Sequence, residues 1–205
     1  AATPEKQIEI INQLVAQNVA GIAIAANDAD ALQPALTEAM DAGIKVISLD
    51  SAVNKDSRQT HIQQADPEKI GRGLIQAAYE MVDGNGGIAV LSATAQATNQ
   101  NLWIEWMKKE LEENPEKYAN TPLIKVAYGD DDPTKSTSET QALLTDSSIK
   151  VIIAPTTVGM LAAGKVLQDK QSDVKLTGLG LPSEMAPFIE DGTCPWMYLW
   201  NPVDI

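Results

Sequence analysis

Short apolar runs alternate with amphipathic helical stretches along almost the whole chain, and this alternation constrains the fold more than any other feature. Gly21-Ile-Ala-Ile-Ala-Ala26, for example, shows no polar alternation, which suits a strand buried on both faces of a parallel sheet. Repeated strand–helix units imply parallel sheets with right-handed crossovers and helices on both faces. The expected class is therefore α/β.

The chain opens with a helix signal. Thr3 is placed as an N-cap, Pro4 at the first helical position and Glu5 in the first turn, with Ile8, Ile11, Leu14 and Val15 at helical spacing. After the run at Gly21, Asn27 and Asp28 are cap candidates for a second helix whose apolar face is Leu32, Ala35, Leu36, Ala39 and Met40. Gly43 closes that helix, where the chain is expected to turn with positive φ. The strand Lys45-Val-Ile-Ser-Leu49 then delivers Asp50 and Ser51 to its carboxyl end, where open parallel sheets present ligand groups.

Residues 52 to 59 read as an irregular connection, and Thr60-His61-Ile62 as a short strand leading away toward a domain crossing. Asp66-Pro67-Glu68 starts a third helix with stripe Ile70, Leu74, Ala77, Ala78 and Met81, ending near Gly84. Five strands are expected in the second half, beginning at Ile88, Leu123, Val151, Val174 and Trp196, with helices between them, against two in the first half. Two strands do not make a stable doubly wound layer, so the first half reads as part of a larger lobe. The expected domains are a partial N-terminal lobe at 1–62, a C-terminal lobe at 63–199, and a crossing back toward the first lobe at 200–205.

The apolar, strand-like run that opens at Gly87 spills into a polar loop before the next helix, and there lie Thr94, Gln96, Thr98, Asn99 and Gln100. They offer donors and acceptors without a strong nucleophile, base or metal ligand, an inventory suited to gripping a polyhydroxylated molecule. The same segment also reads as a solvated connection in which Thr98 or Asn99 caps a helix starting near Gln100. Trp103, Trp106, Met107 and Leu111 on that helix form a core stripe or, beside the loop, an aromatic platform.

Charge narrows the partners. Among 205 residues, 28 are acidic and 15 basic, a net charge of −13 that disfavours nucleic acid and anionic membrane surfaces. Cys194 and His61 are the sole residues of their types, so neither an internal disulfide nor a Cys/His metal cluster can form. No apolar run approaches the roughly 20 residues of a membrane span, and no signal segment opens the sequence. Asp50, the run Asp130-Asp131-Asp132 and nearby hydroxyls keep an enzyme in view, because paired carboxylates perform acid–base work or hold a metal. No activated nucleophile or phosphate loop accompanies them, and Gly84-Asn-Gly-Gly87 lacks the spacing of a dinucleotide fingerprint. Asp130 to Asp132 before Pro133 reads more simply as a turn and helix cap.

Taken together, Ala25-Ala26-Asn27-Asp28, Lys45 to Ser51, Asn99-Gln100-Asn101-Leu102-Trp103, Ile153 to Thr157, Gly178 to Met185 and Trp200-Asn201-Pro202 resemble the rhamnose-binding and autoinducer 2-binding (LsrB-like) branch of the sugar-type solute-binding proteins of ABC transporters. The resemblance covers essentially the whole chain. It implies the type I periplasmic binding protein fold, two Rossmann-like lobes closing on a sugar, with the first lobe incomplete in this sequence. It implies a monomer that is not an enzyme and carries no cofactor, and whose partners are a small sugar or autoinducer and a membrane permease. The implied location is periplasmic or extracytoplasmic, free or lipid-anchored. Carried over to this chain, the implied ligand contacts are Asp50, Ser51, Asn99, Gln100, Pro155, Thr157, Trp200 and Asn201, and a basic residue from the family's first strand region has no counterpart here.

Autoinducer 2-binding members typically show Asp-Gln where this chain has Asn99-Gln100, a small residue in place of Thr157, and Trp-Asp in place of Trp200-Asn201. These departures lean toward a rhamnose-like neutral sugar, since amides keep hydrogen bonding to hydroxyls while giving up charge-assisted bonds. The furanose-like autoinducer stays open, as do a sugar-processing enzyme and a sugar-sensing regulator core with the same fold. The regulator would carry a helix-turn-helix domain at its N-terminus, and this sequence contains none.

Overall fold

A computed structural model of the chain describes residues 3–201 and Val203. Of the expected crossing at 200–205, Pro202 and residues 204 and 205 lie outside the described residues. The elements in chain order are α1 (Pro4–Ala16), β1 (Gly21–Ile24), α2 (Ala29–Asp41), β2 (Lys45–Leu49), β3 (Thr60–Ile62), α3 (Pro67–Met81), β4 (Gly87–Ser92), α4 (Thr98–Glu113), β5 (Leu123–Tyr128), α5 (Pro133–Leu143), β6 (Ile149–Ala154), α6 (Thr157–Lys170), β7 (Lys175–Gly178) and α7 (Pro182–Glu190). All strand pairs are parallel, in one sheet of order β1-β2-β3 and another of order β5-β4-β6-β7, so the α/β class stands. The chain divides into two compact units, one comprising Ala1–Asp66, Gln96–Asn101 and Trp200–Ile205, the other Pro67–Ala95 and Leu102–Leu199.

In the first unit the helices start where the caps indicate. Thr3 accepts from the Lys6 N–H at 3.3 Å, and the Asp28 carboxylate accepts from the Asp30 and Ala31 N–H groups, each at 3.0 Å. Ile11 of α1 and Leu32, Leu36 and Ala39 of α2 form one core with Ile22, Ile24 and Val46 of the strands. β1 was expected to be buried on both faces, but it buries Ile22 and Ile24 and exposes Gly21 and Ala23. The reason is that α1 and α2 pack against the same core as Ile22 and Ile24, and strand side chains alternate faces. β3 was expected to lead away from this region. It instead adds a third strand, pairing with β2 in register Ser48↔His61.

In the second unit β4 lies between β5 and β6, and all six of its residues are buried. Ala89 and Leu91 of β4 and Ile152 and Ala154 of β6 share a cluster with Leu143, Met160, Ala163, Met185 and Phe188 from α5, α6 and α7. The alternate residues Ile88, Val90, Val151 and Ile153 face the other way and are equally buried, and α3, which contacts β6 and β7, buries Leu74, Ile75, Ala77 and Ala78. Central strands covered twice in this manner explain the unbroken apolar runs in the sequence.

The fifth strand expected at Trp196 to Trp200 does not form. Only an isolated parallel bridge joins Tyr198 to Leu179, with Tyr198 N–H donating to Gly178 C=O at 2.9 Å. The Trp196 carbonyl accepts from the hydroxyl of Thr177 at 3.0 Å and the thiol of Cys194 at 3.4 Å. Side chains thus occupy an acceptor that a ladder would offer to a backbone N–H, and Pro195 has no N–H to donate.

Candidate functional site

The Asp50 backbone lies in the left-handed region at φ 58°, a conformation that Asp tolerates better than most residues. Its N–H donates to Ile62 C=O at 3.2 Å, so the carboxyl end of β2 is anchored by the end of β3. The carboxylate is gripped from two sides. Gln64 Nε2 donates to Oδ1 at 2.6 Å, and Asn99 Nδ2 donates to Oδ2 at 3.2 Å. Burial raises the carboxyl above its ordinary value of 3.8, while the hydrogen bonds from Asn99 and Gln64 pull in the opposite direction.

Thr98, Asn99 and Gln100 form the first turn of α4, two residues before the helix start expected from the sequence. Thr98 Oγ1 donates to Ala52 C=O at 3.1 Å, and since a hydroxyl carries one proton, Ser51 must be the donor in the 2.8 Å contact between Ser51 Oγ and Thr98 Oγ1. Asn99 Oδ1 accepts from the Gln100 N–H at 2.7 Å. One Asn99 amide therefore satisfies a first-turn helix donor with its oxygen and Asp50 with its nitrogen. Gln100 is buried at 7% exposure.

Asp50, Ser51, Asn99 and Gln100 are thus brought together in the first unit, which also contains Trp200 and Asn201. Trp200 is half-buried, and the exposed Asn201 accepts from the Val203 N–H through Oδ1 at 3.1 Å. The other two candidates belong to the second unit, where Pro155 is buried and Thr157 opens α6. Of the other loop candidates, Thr94 is half-buried with its hydroxyl enclosed and without a hydrogen-bond partner, and Gln96 is exposed.

One residue and one pairing of consequence escaped the sequence reading. The residue is Gln64, for which the only signal was a pair of glutamines directly after a strand-like Thr-His-Ile. The pairing is that of Asp131, already noted in the acidic run, whose carboxylate accepts from Thr156 Oγ1 at 2.5 Å beside the Pro155–Thr157 corner. The acidic run around it is structural. Asp130 and Asp131 occupy left-handed conformations, Asp130 pairs with Lys135, and Asp132 caps α5 by accepting from the Lys135 N–H at 2.7 Å. Among the described residues no cluster of His, Cys, Asp and Glu suits a metal ion. Trp103, at 1% exposure, is core rather than platform.

Chemically, an ionised carboxylate offers about four acceptor positions, and Gln64 and Asn99 occupy one on each oxygen of Asp50. The remaining lone pairs can accept from vicinal hydroxyls, while a buried Gln100 adds both donor and acceptor capacity.

The sequence model of the periplasmic binding protein domain matches residues 1–205. An ABC transporter solute-binding protein from Clostridium phytofermentas, solved with bound L-rhamnose, is 52% identical at TM-score 0.93, over 98% of this chain and 64% of that one. A sugar ABC transporter protein from Actinomyces odontolyticus is 40% identical at TM-score 0.69, over 98% of this chain and 65% of that one. LsrB from Clostridium saccharobutylicum, solved in complex with AI-2, is 25% identical at TM-score 0.85, over 94% of this chain and 62% of that one. The chain spans less than two thirds of the length of each of these proteins. Two parallel-sheet units, a match along the full chain and more than half of all positions shared with a solved relative together show that this chain belongs to the periplasmic binding protein domain family.

Proposed function

We propose that the protein to which this chain belongs is a monomeric extracytoplasmic solute-binding protein that captures a neutral, rhamnose-like sugar and delivers it to an ABC permease without altering it. The observation that carries the reading is the Asp50 carboxylate, held by Gln64 and Asn99 with acceptor positions to spare. Such a group recognises hydroxyls, and the 52% identical relative from Clostridium phytofermentas was solved with L-rhamnose. Ser51, Asn99, Gln100, Pro155, Thr157, Trp200 and Asn201 are the further contacts proposed, on the strength of the family resemblance. A second reading, a furanose-like signal, draws on the more distant LsrB solved with AI-2.

Isothermal titration of the full-length protein with L-rhamnose, D-arabinose and AI-2 separates these readings. Tightest binding of L-rhamnose is expected. A carboxylate–hydroxyl bond is worth roughly 1.5–3 kcal/mol, so Asp50→Ala should weaken binding at least about tenfold, and Gln100→Ala should behave similarly. Unchanged affinity in the Asp50 variant would remove that residue from the site. Conversion of the bound sugar into a new product would replace the transport reading with an enzyme.

A further inference from the structure

We propose that Gln64 is the positioning residue for Asp50, and that a line of side chains running back through Gln63 and His61 to Ser48 holds it in that role. The inference rests on the proposed function, in which Asp50 accepts from ligand hydroxyls. Ser48 Oγ lies 2.8 Å from His61 Nδ1, His61 Nε2 lies 3.0 Å from Gln63 Oε1, Gln63 Nε2 lies 3.0 Å from Gln64 Oε1, and Gln64 Nε2 lies 2.6 Å from Asp50 Oδ1.

Proton bookkeeping gives this line one direction. An ionised carboxylate can only accept, so Gln64 must present its amide N–H₂ to Asp50 and turn its carbonyl to Gln63. Gln63 then presents its own N–H₂ to Gln64, and its carbonyl must accept from His61, which places a proton on Nε2. In the neutral ring Nδ1 is left as an acceptor, and Ser48 O–H donates to it. Every proton in the series points toward Asp50. Bonds aligned head to tail polarise one another, so each strengthens the next.

The two ends of the line are fixed independently. Ser48 and His61 are register partners across β2 and β3, and Ser48 is 0% exposed. Gln64 is 7% exposed, so its short bond to Asp50 is sheltered from competing water. A flipped Gln64 amide would set carbonyl against carboxylate and lose the bond from Gln63 as well. The line therefore locks the Gln64 amide, which with Asn99 holds both oxygens of a carboxylate that a free rotor would let swing. Preorganisation of this kind raises affinity by removing an ordering cost at the moment of binding.

Titration of the full-length protein with L-rhamnose tests the proposal, with thermal melting as a control on folding. Gln64→Ala should weaken binding about tenfold, and the loss should shrink when Asp50 is already Asn, because Gln64 acts through the Asp50 carboxylate. Gln64→Glu should bind poorly near neutral pH and recover as the pH is lowered, once the two facing carboxylates share a proton. A merely structural role moves neither of these readouts. Should Gln64→Ala fail to fold, Gln63→Ala at its exposed position carries the test with an expected loss of about threefold. Unchanged affinity in Gln64→Ala, or in Gln63→Ala where that variant carries the test, would overturn the proposal. An equal loss from Gln64→Ala in both Asp50 backgrounds would do the same. If the unaltered protein binds none of the sugars or AI-2, the proposed function falls and this inference with it, whereas binding with insensitive variants removes the inference alone.

Discussion

Thr156 donates its hydroxyl to Asp131 at 2.5 Å instead of capping α6, the helix it precedes. A threonine at this position ordinarily turns its oxygen onto the first-turn N–H groups. Here it ties the corner between β6 and α6 to the turn that follows β5, and Asp131 can reach it from a left-handed backbone at φ 50°. The Pro155–Thr157 corner is thereby positioned by a side chain 25 residues away in sequence.

That geometry predicts a contrast between two substitutions. Asp131→Gly loses the hydrogen bond but suits the left-handed backbone, whereas Asp131→Ala loses the bond and keeps a Cβ there without the polar group that lets Asp tolerate the conformation. Urea denaturation should find the Ala variant less stable than the Gly variant by about 1 kcal/mol. Equal midpoints would show that the turn relaxes out of this conformation.

Asp50 predicts a pH dependence. Its folded carboxyl titrates above 3.8 because burial outweighs the bonds from Asn99 and Gln64, so the folded state binds the proton more readily than the unfolded chain. Ionised Asp50 accordingly costs stability at neutral pH, and the cost is relieved as pH falls through the raised value and is fully gone below 3.8. The stability difference between the parent and Asp50→Asn should move in the parent's favour between about pH 7 and about pH 4. A difference that stays flat across that range would contradict the assigned burial.

Gly178 ends β7 at φ 155°, and a Cβ there would come within 1.9 Å of the Ala154 carbonyl oxygen. Neither backbone can yield without breaking the ladder, since Leu179 N–H donates to that same oxygen at 3.1 Å. Gly178→Ala should cost at least about 2 kcal/mol in urea denaturation. A variant as stable as the parent would mean that the close approach is not required.

Arg72 joins α3 to α4 by donating to Glu110 at 2.6 Å and Glu113 at 2.7 Å while also donating to Glu68 of its own helix at 2.8 Å, with its guanidinium 5.2 Å from the Trp106 ring centre. A lysine cannot reproduce the planar fork or the stacking. Arg72→Lys should lower the melting temperature, and the gap should narrow at high salt as the ionic part is screened. A gap insensitive to salt would assign the effect to the packing on Trp106.

The helix starts were legible because their cause is local. Thr3, Asp28 and Asp132 each accept from an N–H no more than three residues away, so residue type and spacing suffice to place them. Asp50 was legible as a candidate for the same reason, since it directly follows an apolar strand. The strand expected at Trp196 to Trp200 was not foreseeable as a mere bridge, because what stops the ladder is a bond from Thr177 on another segment. The burial of Trp103 likewise depends on which helix covers it, and Gly71 of α3 comes so close that an added Cβ would lie 2.5 Å from the Trp103 carbonyl oxygen.

By itself, the sequence determined the α/β alternation, the caps and the polar inventory at the strand ends, because periodicity and capping act between near neighbours. Only the tertiary structure decided that Gln64 and Asn99, 14 and 49 residues beyond Asp50, would close on its two oxygens. That outcome depends on β3 pairing with β2 in one register and on the first turn of α4 meeting the end of β2, and no local pattern encodes either. A hydrogen-bond network is set by where distant backbones bring their side chains, and the sheet register is what carries that information.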